Sequence, residues 1–466
     1  MSAAVRGCAS AGRRRFTGSE IKAQVLEVLA TPSAFLEHAD FGELAAAIVN
    51  RGAKAVADQP RAEPVPYQTW GTDIDAEAHK QMANACSLPV AVAGALMPDA
   101  HVGYGLPIGG VLATENTVVP YAVGVDIACR MMMSVFELPP ERLVKDRERF
   151  ENILERNTLF GAGQSFQKKS EHAVIEEDWG ITSVTKTLRD KAAGQLGTSG
   201  SGNHFVEFGE LEVFGEVGGG GASKSEEPTS MARGRYIAVL SHSGSRGPGA
   251  SVAAHYSALA RKLHPDLPPE LAYLAWLDMD KEGAEYWAAM ELMGRFASAN
   301  HHVIHGKIAR DLAQMDAPVV FQVENHHNFA WRETHVIDGR EREVIVHRKG
   351  ATPAGVGVLG LIPGSMAAPG YLVEGLGFAA SLNSASHGAG RKMSRTKARE
   401  STRWSHLNSL LKERGVHLLS AGLDESPHAY KDIDEVMAAQ AELVRPLARF
   451  TPRVVKMAPD GERPED

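Results

Sequence analysis

Four histidine-bearing segments, each set in glycine, serine or asparagine, lie far apart in this chain: Gly202-Asn203-His204, Ser241-His242-Ser243-Gly244-Ser245-Arg246, Glu324-Asn325-His326-His327-Asn328 and Ser386-His387-Gly388-Ala389-Gly390-Arg391. With Asp126 and Cys129 upstream, they read as a metal centre beside a nucleotide pocket, so the fold must gather distant turns into one cavity. Glycine lets a backbone approach phosphates, asparagine and arginine supply donors, and imidazole serves as metal ligand or nucleophile.

Bulk properties narrow the class. A chain of 466 residues exceeds the usual single domain and weakly favours division, but large α/β folds reach this length, and one large catalytic unit is expected. A hydrophobic content of 44% and a charged content of 23% are those of a globular protein. No apolar run reaches the roughly 20 residues of a membrane helix, so no membrane partner is expected. The net charge of -8 excludes an all-round basic coat but leaves room for a local phosphate-binding stripe. Cys8, Cys86 and Cys129 form a sparse, odd set that fits a reducing compartment, and a cytoplasmic location is expected.

The expected fold class is α+β (mixed α/β): a large single catalytic domain with a β-sheet-rich core surrounded by helices. Residues 1–58 read as an N-terminal helical appendage with a disordered start, 59–73 as a linker, 74–458 as the catalytic domain and 459–466 as a disordered tail. Apolar spacing from Glu20 to Ala57 predicts two amphipathic helices. Between Leu88 and Val135, strands are predicted at Pro89–Val92, Gly110–Thr114, Val118–Val125 and Met131–Phe136. Gly215–Met231 reads as an inert surface loop rather than a flap over the site. Asp278–Gln314 is the strongest helical stretch, with Tyr286, Met290, Met293, Phe296 and Ala297 on one face. Strands follow at Val319–Val323, Thr334–Ile337 and Val344–His347, and a helix over Asp432–Ala448 is predicted to close the chain.

Asp126 and Cys129 stand three residues apart after an apolar run, where a turn can aim both at one ion. A thiolate can bridge two ions, and His204, His242 and His327 would complete the shells as neutral imidazoles. Asp-x-x-Cys alone is a weak signal, and a lone histidine is more often a hydrogen-bonded core residue than a ligand. Three histidines in strand-and-turn motifs shift the balance. Thiol and imidazole ligands by themselves favour zinc or cobalt. Asp99 and His101 form a further polar turn, whereas His301, His302 and His305 receive no role.

His387 sits at the mouth of a glycine turn with Arg391 four residues on. A neutral imidazole there can attack an α-phosphate if cations disperse the charge. The plain alternative is a structural or metal-binding histidine. Asn203 and Asn328 can bind phosphate oxygens or orient the adjacent ligands. Arg391, Lys392, Arg395, Lys397, Arg399 and Arg403 make a basic cluster that either follows a nucleic-acid backbone or is a solvated helix face.

From about Ile74 to Lys456 these motifs together resemble the RtcB-type RNA-splicing ligases. The resemblance rests on Pro98-Asp99-Ala100-His101-Val102-Gly103-Tyr104-Gly105, Gly124-Val125-Asp126-Ile127-Ala128-Cys129, Gly202-Asn203-His204-Phe205 and His242-Ser243-Gly244-Ser245-Arg246-Gly247. It continues through His327-Asn328-Phe329, His347-Arg348-Lys349-Gly350-Ala351-Thr352, Pro363-Gly364-Ser365-Met366 and Ser386-His387-Gly388-Ala389-Gly390-Arg391. It implies an RtcB-like fold and two manganese ions, one held by Asp126, Cys129 and His204 and the other by Cys129, His242 and His327. It also implies that GTP guanylylates His387, that GMP passes to an RNA 3′-phosphate, and that a 5′-hydroxyl seals the strand. A 2′,3′-cyclic phosphate end would be hydrolysed first. By the same resemblance Asn203, Arg246, Ser365, Tyr430 and Lys456 are nucleotide contacts, joined by Asn328 and the Gly388, Ala389, Gly390 and Arg391 turn. The implied roles are tRNA splicing or RNA repair, and an archease-like activator is a further expected partner.

The chain departs from the family at Ala128 and Arg130, where glycine is common, at Gly370-Tyr371 for Ser-Tyr, and at His301, where arginine is common. If position 128 has positive φ, alanine there costs roughly 1 kcal/mol or shifts the Cys129 turn. Arg130 either assists phosphate binding or points outward. The alternatives to ligation are guanylyl capping of 3′-phosphate ends without sealing, and a metal-dependent cyclic phosphodiesterase or RNA-binding relative.

Overall fold

The computed structural model describes residues 18–218 and 230–462, and no side chains at 53–56. The start over residues 1–17, the centre of the glycine-rich loop at 219–229 and the tail at 463–466 lie outside the described residues. Among the described residues no helix is long and apolar enough to cross a membrane.

Two sheets carry the α+β fold. The larger has eight strands. Its main path runs Leu359–Ile362, Gly370–Gly375, Val444–Met457, Phe205–Val213, Gly234–Ser243, Arg130–Phe136 and Val319–His326, with His417–Ser420 added parallel to Val444–Met457. Arg130–Phe136 is buried at every position, so its sequence Arg-Met-Met-Met-Ser-Val-Phe shows no polar alternation. The edge strands of this path approach each other. Asn325 joins them, its Oδ1 accepting from the Leu361 N–H at 2.9 Å and its Nδ2 donating to Thr352 Oγ1 at 2.9 Å. The sheet is thereby nearly closed, and an edge that would expose unpaired backbone is covered.

The second sheet has five strands in the order Tyr67–Thr69, Ala91–His101, Ile108–Thr114, Arg340–Lys349 and Asn328–Ile337. The chain passes from one sheet to the other at a single residue, His327, between Val319–His326 and Asn328–Ile337. The helix Glu282–Ala313 packs its Tyr286, Met290, Met293, Phe296 and Ala297 face into the core, as the 3.6-residue spacing predicts.

The following segments differ from the sequence expectation. The strand expected at Pro89–Val92 runs over Ala91–His101 and takes in Asp99 and His101, expected in a polar turn. Tyr67–Thr69, inside the expected linker, is a strand paired parallel to Ala91–His101, with Tyr67 opposite Gly94. Of the expected Val118–Val125 strand only Val118 pairs, in the two-residue strand Thr117–Val118. Pro120 then opens a helical turn to Val123, because proline lacks the donor a strand needs and suits the first helical position. The expected closing helix spans only Ile433–Ala439, and Val444–Met457 is a 14-residue strand inside the large sheet. Its β-branched Val444, Thr451, Val454 and Val455 favour extension, and Pro452 falls at a register shift where its missing N–H is tolerated.

The two expected N-terminal helices form over Gly18–Ala30 and Gly42–Ala57. Val28, Phe41, Leu44 and Ala45 make their small core. The second helix is tied to the main body by buried Asp58, whose Oδ2 accepts from His264 Nδ1 at 2.7 Å.

Candidate active site

Antiparallel pairing explains how distant turns meet. The strand Phe205–Val213 starts, Gly234–Ser243 ends, Arg130–Phe136 starts and Val319–His326 ends at the same edge of the large sheet. The register sets Phe205 opposite His242, Met131 opposite His242, and Arg130 opposite His326. Cys129, His204, His242 and His327 therefore share one rim.

Their donor atoms converge. Cys129 Sγ is 3.1 Å from His242 Nε2 and 3.4 Å from His204 Nε2. His242 Nε2 is 3.2 Å from His327 Nε2, and His204 Nε2 is 3.2 Å from Asp126 Oδ2. Asp126, Cys129 and His204 make one buried trio and Cys129, His242 and His327 another, sharing the sulfur. Such spacings approach the edge of a coordination tetrahedron with metal–ligand bonds of about 2.0–2.3 Å. His242 Nδ1 donates to the Asn203 carbonyl at 3.2 Å, which turns the lone pair of Nε2 toward the sulfur. His327 Nδ1 is buried without a hydrogen-bond partner among the described residues. The donor set fits cations.

Electrostatics agree with that fit. Burial, and then the neighbouring His204 and His387, hold His242 well below the usual imidazole range. Burial, His387 and His242 do the same for His327, so both rings are neutral lone-pair donors. Burial pushes the Asp126 carboxyl up, but the hydrogen bond with His204 and the Arg246 charge outweigh it and keep the group anionic. Arg246 Nη2 donates to His204 Nδ1 at 2.9 Å.

His387 stands beside this cluster, its ring centroid 4.9 Å from that of His327. Fully buried Asp99 holds it: Oδ2 accepts from His387 Nδ1 at 2.7 Å, from the His387 N–H at 3.1 Å and from the Gly388 N–H at 3.3 Å. Nδ1 is thus the nitrogen that donates to Asp99, and Nε2 makes no hydrogen bond among the described residues. Gly390 adopts a φ of +73°, and a Cβ there would lie 2.0 Å from the Asp99 carbonyl, so only glycine fits. Ala389 N–H donates to the Pro363 carbonyl at 3.0 Å, joining this turn to the one bearing Ser365. His101 Nδ1 bonds the Asp99 carbonyl at 3.0 Å, and burial pushes its pKa down to about 4.

The other expected nucleotide contacts spread around this centre. Lys456 pairs in register with Val206, two residues beyond His204, and its Nζ reaches Glu155 at 2.7 Å. Asn328 uses its amide on the backbone: Oδ1 accepts from Gly350 at 2.8 Å and Nδ2 donates to the Asp126 carbonyl at 3.3 Å. Arg391 lies over the Tyr430 ring at 5.2 Å and donates to the Asp424 carbonyl at 2.7 Å. In the basic cluster, Arg395 and Arg399 pair with the buried carboxylates of Asp424 and Glu425 or of Asp424 alone, while Lys392, Lys397 and Arg403 are exposed.

Arg130 takes neither expected course. It turns inward, with Nη1 2.9 Å from Glu324 Oε2 and Nη2 donating to the Gly294 carbonyl at 3.0 Å. Residues that no motif marked also support the rim. Asn300, fully buried on the long helix, accepts from Gly197 N–H at 2.8 Å and donates to the Gly244 carbonyl at 3.0 Å. His301 and His305 hold Ser241 Oγ, each at 2.7 Å, and His301 bonds the Ser243 carbonyl at 3.1 Å. Glu207 is a buried acid whose pKa burial raises well above the usual range. It lies in a run of four buried positions, Val206 to Gly209, and no motif flags it in the sequence.

Fold and site together define a class: an α+β protein whose sheet rim gathers imidazole, thiol and carboxylate donors next to a carboxylate-held histidine. Residues 81–457 match the family described as tRNA-splicing ligase RtcB. The chain is 31% identical to the RNA-splicing ligase RtcB of Escherichia coli K12, over 82% of this chain and 94% of that one. It is 32% identical to the tRNA-splicing ligase RtcB of Nanoarchaeum equitans, over 84% and 95%. With that of Thermococcus kodakarensis it shares 29% identity over 80% and 89%. The chain belongs to the RtcB family.

Proposed function

We propose that this protein is a GTP- and manganese-dependent RNA ligase that joins RNA 3′-phosphate or 2′,3′-cyclic phosphate ends to 5′-hydroxyl ends. The observation that carries the reading is the setting of His387, with Nδ1 held 2.7 Å from Asp99 and its ring packed against His327 of the Cys129 cluster. Family membership supports RNA as the substrate.

In this reading, His387 Nε2 attacks the α-phosphorus of GTP, a P–N bond forms, and the bond to the bridging oxygen breaks to release pyrophosphate. Asp99 keeps the proton on Nδ1 and stabilises the charge the ring acquires. A cyclic end is first opened by water to a 3′-phosphate. An oxygen of the RNA 3′-phosphate then attacks the same phosphorus and returns the electron pair to Nε2. The 5′-hydroxyl attacks the activated RNA phosphate, loses its proton and expels GMP. Asp126, Cys129 and His204, and Cys129, His242 and His327, would hold two manganese ions, whose bound charge disperses that of the phosphates. Arg246 and Asn203 flank those donors and orient the phosphates. The Gly388-to-Arg391 turn, Ser365, Tyr430 and Lys456 contact the nucleotide.

The test is incubation with α-labelled GTP and manganese. An acid-labile, base-stable adduct should form on the wild type and be absent from His387→Ala. Asp99→Asn should slow labelling by roughly 10²-fold or more, since an amide there disturbs the tautomer. No adduct with any divalent ion would refute the reading. RNA carrying both end types should then yield a joined strand, whereas a persistent guanylylated 3′ end would mean capping alone.

A further inference from the structure

A cluster of tyrosines borders this site, and folding alone does not use it. Tyr104 is 65% exposed although it lies in the turn directly after Asp99 and His101. Its ring centroid is 5.7 Å from that of Tyr273, itself 36% exposed, and Tyr273 is 4.8 Å from Tyr121 in an edge-on arrangement. Three separate segments supply these rings: the 102–107 turn, the helical turn Pro120–Val123 that leads to Asp126, and the 3-10 turn Pro269–Leu274. Gly105, at a φ of +71°, lets the first lie on the third, since a Cβ there would sit 3.1 Å from the Tyr273 backbone.

Cations are built into the cluster. Lys349 Nζ donates to the Tyr104 carbonyl at 2.6 Å and sits 5.6 Å over the Tyr121 ring, and the Arg261 guanidinium sits 5.5 Å over the Tyr273 ring. Lys349 also links the cluster to the nucleophile: a Cβ on the next residue, Gly350, would lie 3.1 Å from His387 Cε1. Burial pushes Lys349 down to about 7, a penalty that an incoming phosphate offsets. Exposed aromatic faces beside lysine and arginine are how proteins take an unpaired nucleic-acid strand, because every base has a π-face and every linkage a charge.

We propose that Tyr104, Tyr273 and Tyr121 form a stacking platform for the unpaired end of an RNA strand, with its phosphates directed along Arg261 and Lys349 toward His387. The platform rests on the ligase reading above, and it favours an unpaired end because the interior bases of a duplex keep both faces within their own stack.

The test uses the full chain and a short fluorescent single-stranded RNA with a 5′-hydroxyl, followed by anisotropy. Tyr104→Ala should weaken binding roughly tenfold, the scale of one lost base–aromatic stack. Tyr104→Trp should bind within about twofold of wild type, because stacking needs the ring and not the hydroxyl. Unchanged binding in Tyr104→Ala would overturn the proposal. So would an equal loss in Tyr104→Trp, which would mark Tyr104 as structural, or binding by the same surface of an unstructured peptide but not RNA. Labelling of the wild type by GTP is measured in parallel. If that fails while the tyrosine variants behave as described, the ligase chemistry is wrong and the platform stands; the reverse pattern removes only the platform.

Discussion

Ala128 adopts a φ of +57° one residue before Cys129, with its N–H bonded to the Asn328 carbonyl at 2.6 Å. That is left-handed backbone, which a Cβ disfavours, so the cost foreseen from a non-glycine residue in this turn applies. Ala128→Gly is expected to raise stability by about 1 kcal/mol in urea unfolding, and Ala128→Val to lower it by about 2 kcal/mol or more. Equal stability of all three would show that the turn is unstrained. At this scale the candidate ligands and His387 were legible because their chemistry is written in residue type and neighbouring glycines. Asp99 was only half legible: a carboxylate in a polar turn is visible, but its bond to His387, 288 residues away, is not. Arg130 was misjudged because Glu324, which draws it inward, is reached only through the pairing of two strands.

At the scale of elements, the long helix does more than fill the core. Asn300 joins the turn at Gly197, which leads to His204, to the turn at Gly244, which follows His242. Removing it strands the buried Gly197 N–H and leaves the Gly244 carbonyl with only the longer bond from Arg246 Nε at 3.4 Å. Asn300→Ala should therefore cost about 2–4 kcal/mol of stability and, if the rim holds metal as proposed, weaken that binding roughly 10- to 100-fold, read by denaturation and by metal titration. A stable variant with unchanged metal affinity would contradict this clamp. The helix itself was readable from its apolar period. Val444–Met457 was not, because its apolar residues also satisfy a helical spacing and its partners lie at residues 205–213 and 370–375. Likewise Tyr67–Thr69 is too short to announce itself beside prolines, and becomes a strand only against Ala91–His101.

The whole molecule is a device for bringing strand ends together. A nearly closed sheet presents four of the candidate ligands on one rim, the chain changes sheet at His327, and the second sheet delivers Asp99 at the end of Ala91–His101 to hold His387. The mixed α+β class and the single catalytic body followed from the order of runs and turns, whereas sheet order and near-closure depend on pairings that a linear reading does not contain. The match over residues 81–457 spans both sheets apart from Tyr67–Thr69, and the N-terminal helices lie outside it.

The central claim is that His387 Nε2 becomes bonded to phosphorus beside two cations that share the sulfur of Cys129. A crystal structure of the protein with manganese and GTP tests it most directly. Two anomalous peaks flanking Cys129 Sγ, each closed by its own trio, and GMP joined to His387 Nε2 are the predicted result. Cations bound elsewhere, or a guanylyl group on any other atom, would contradict it.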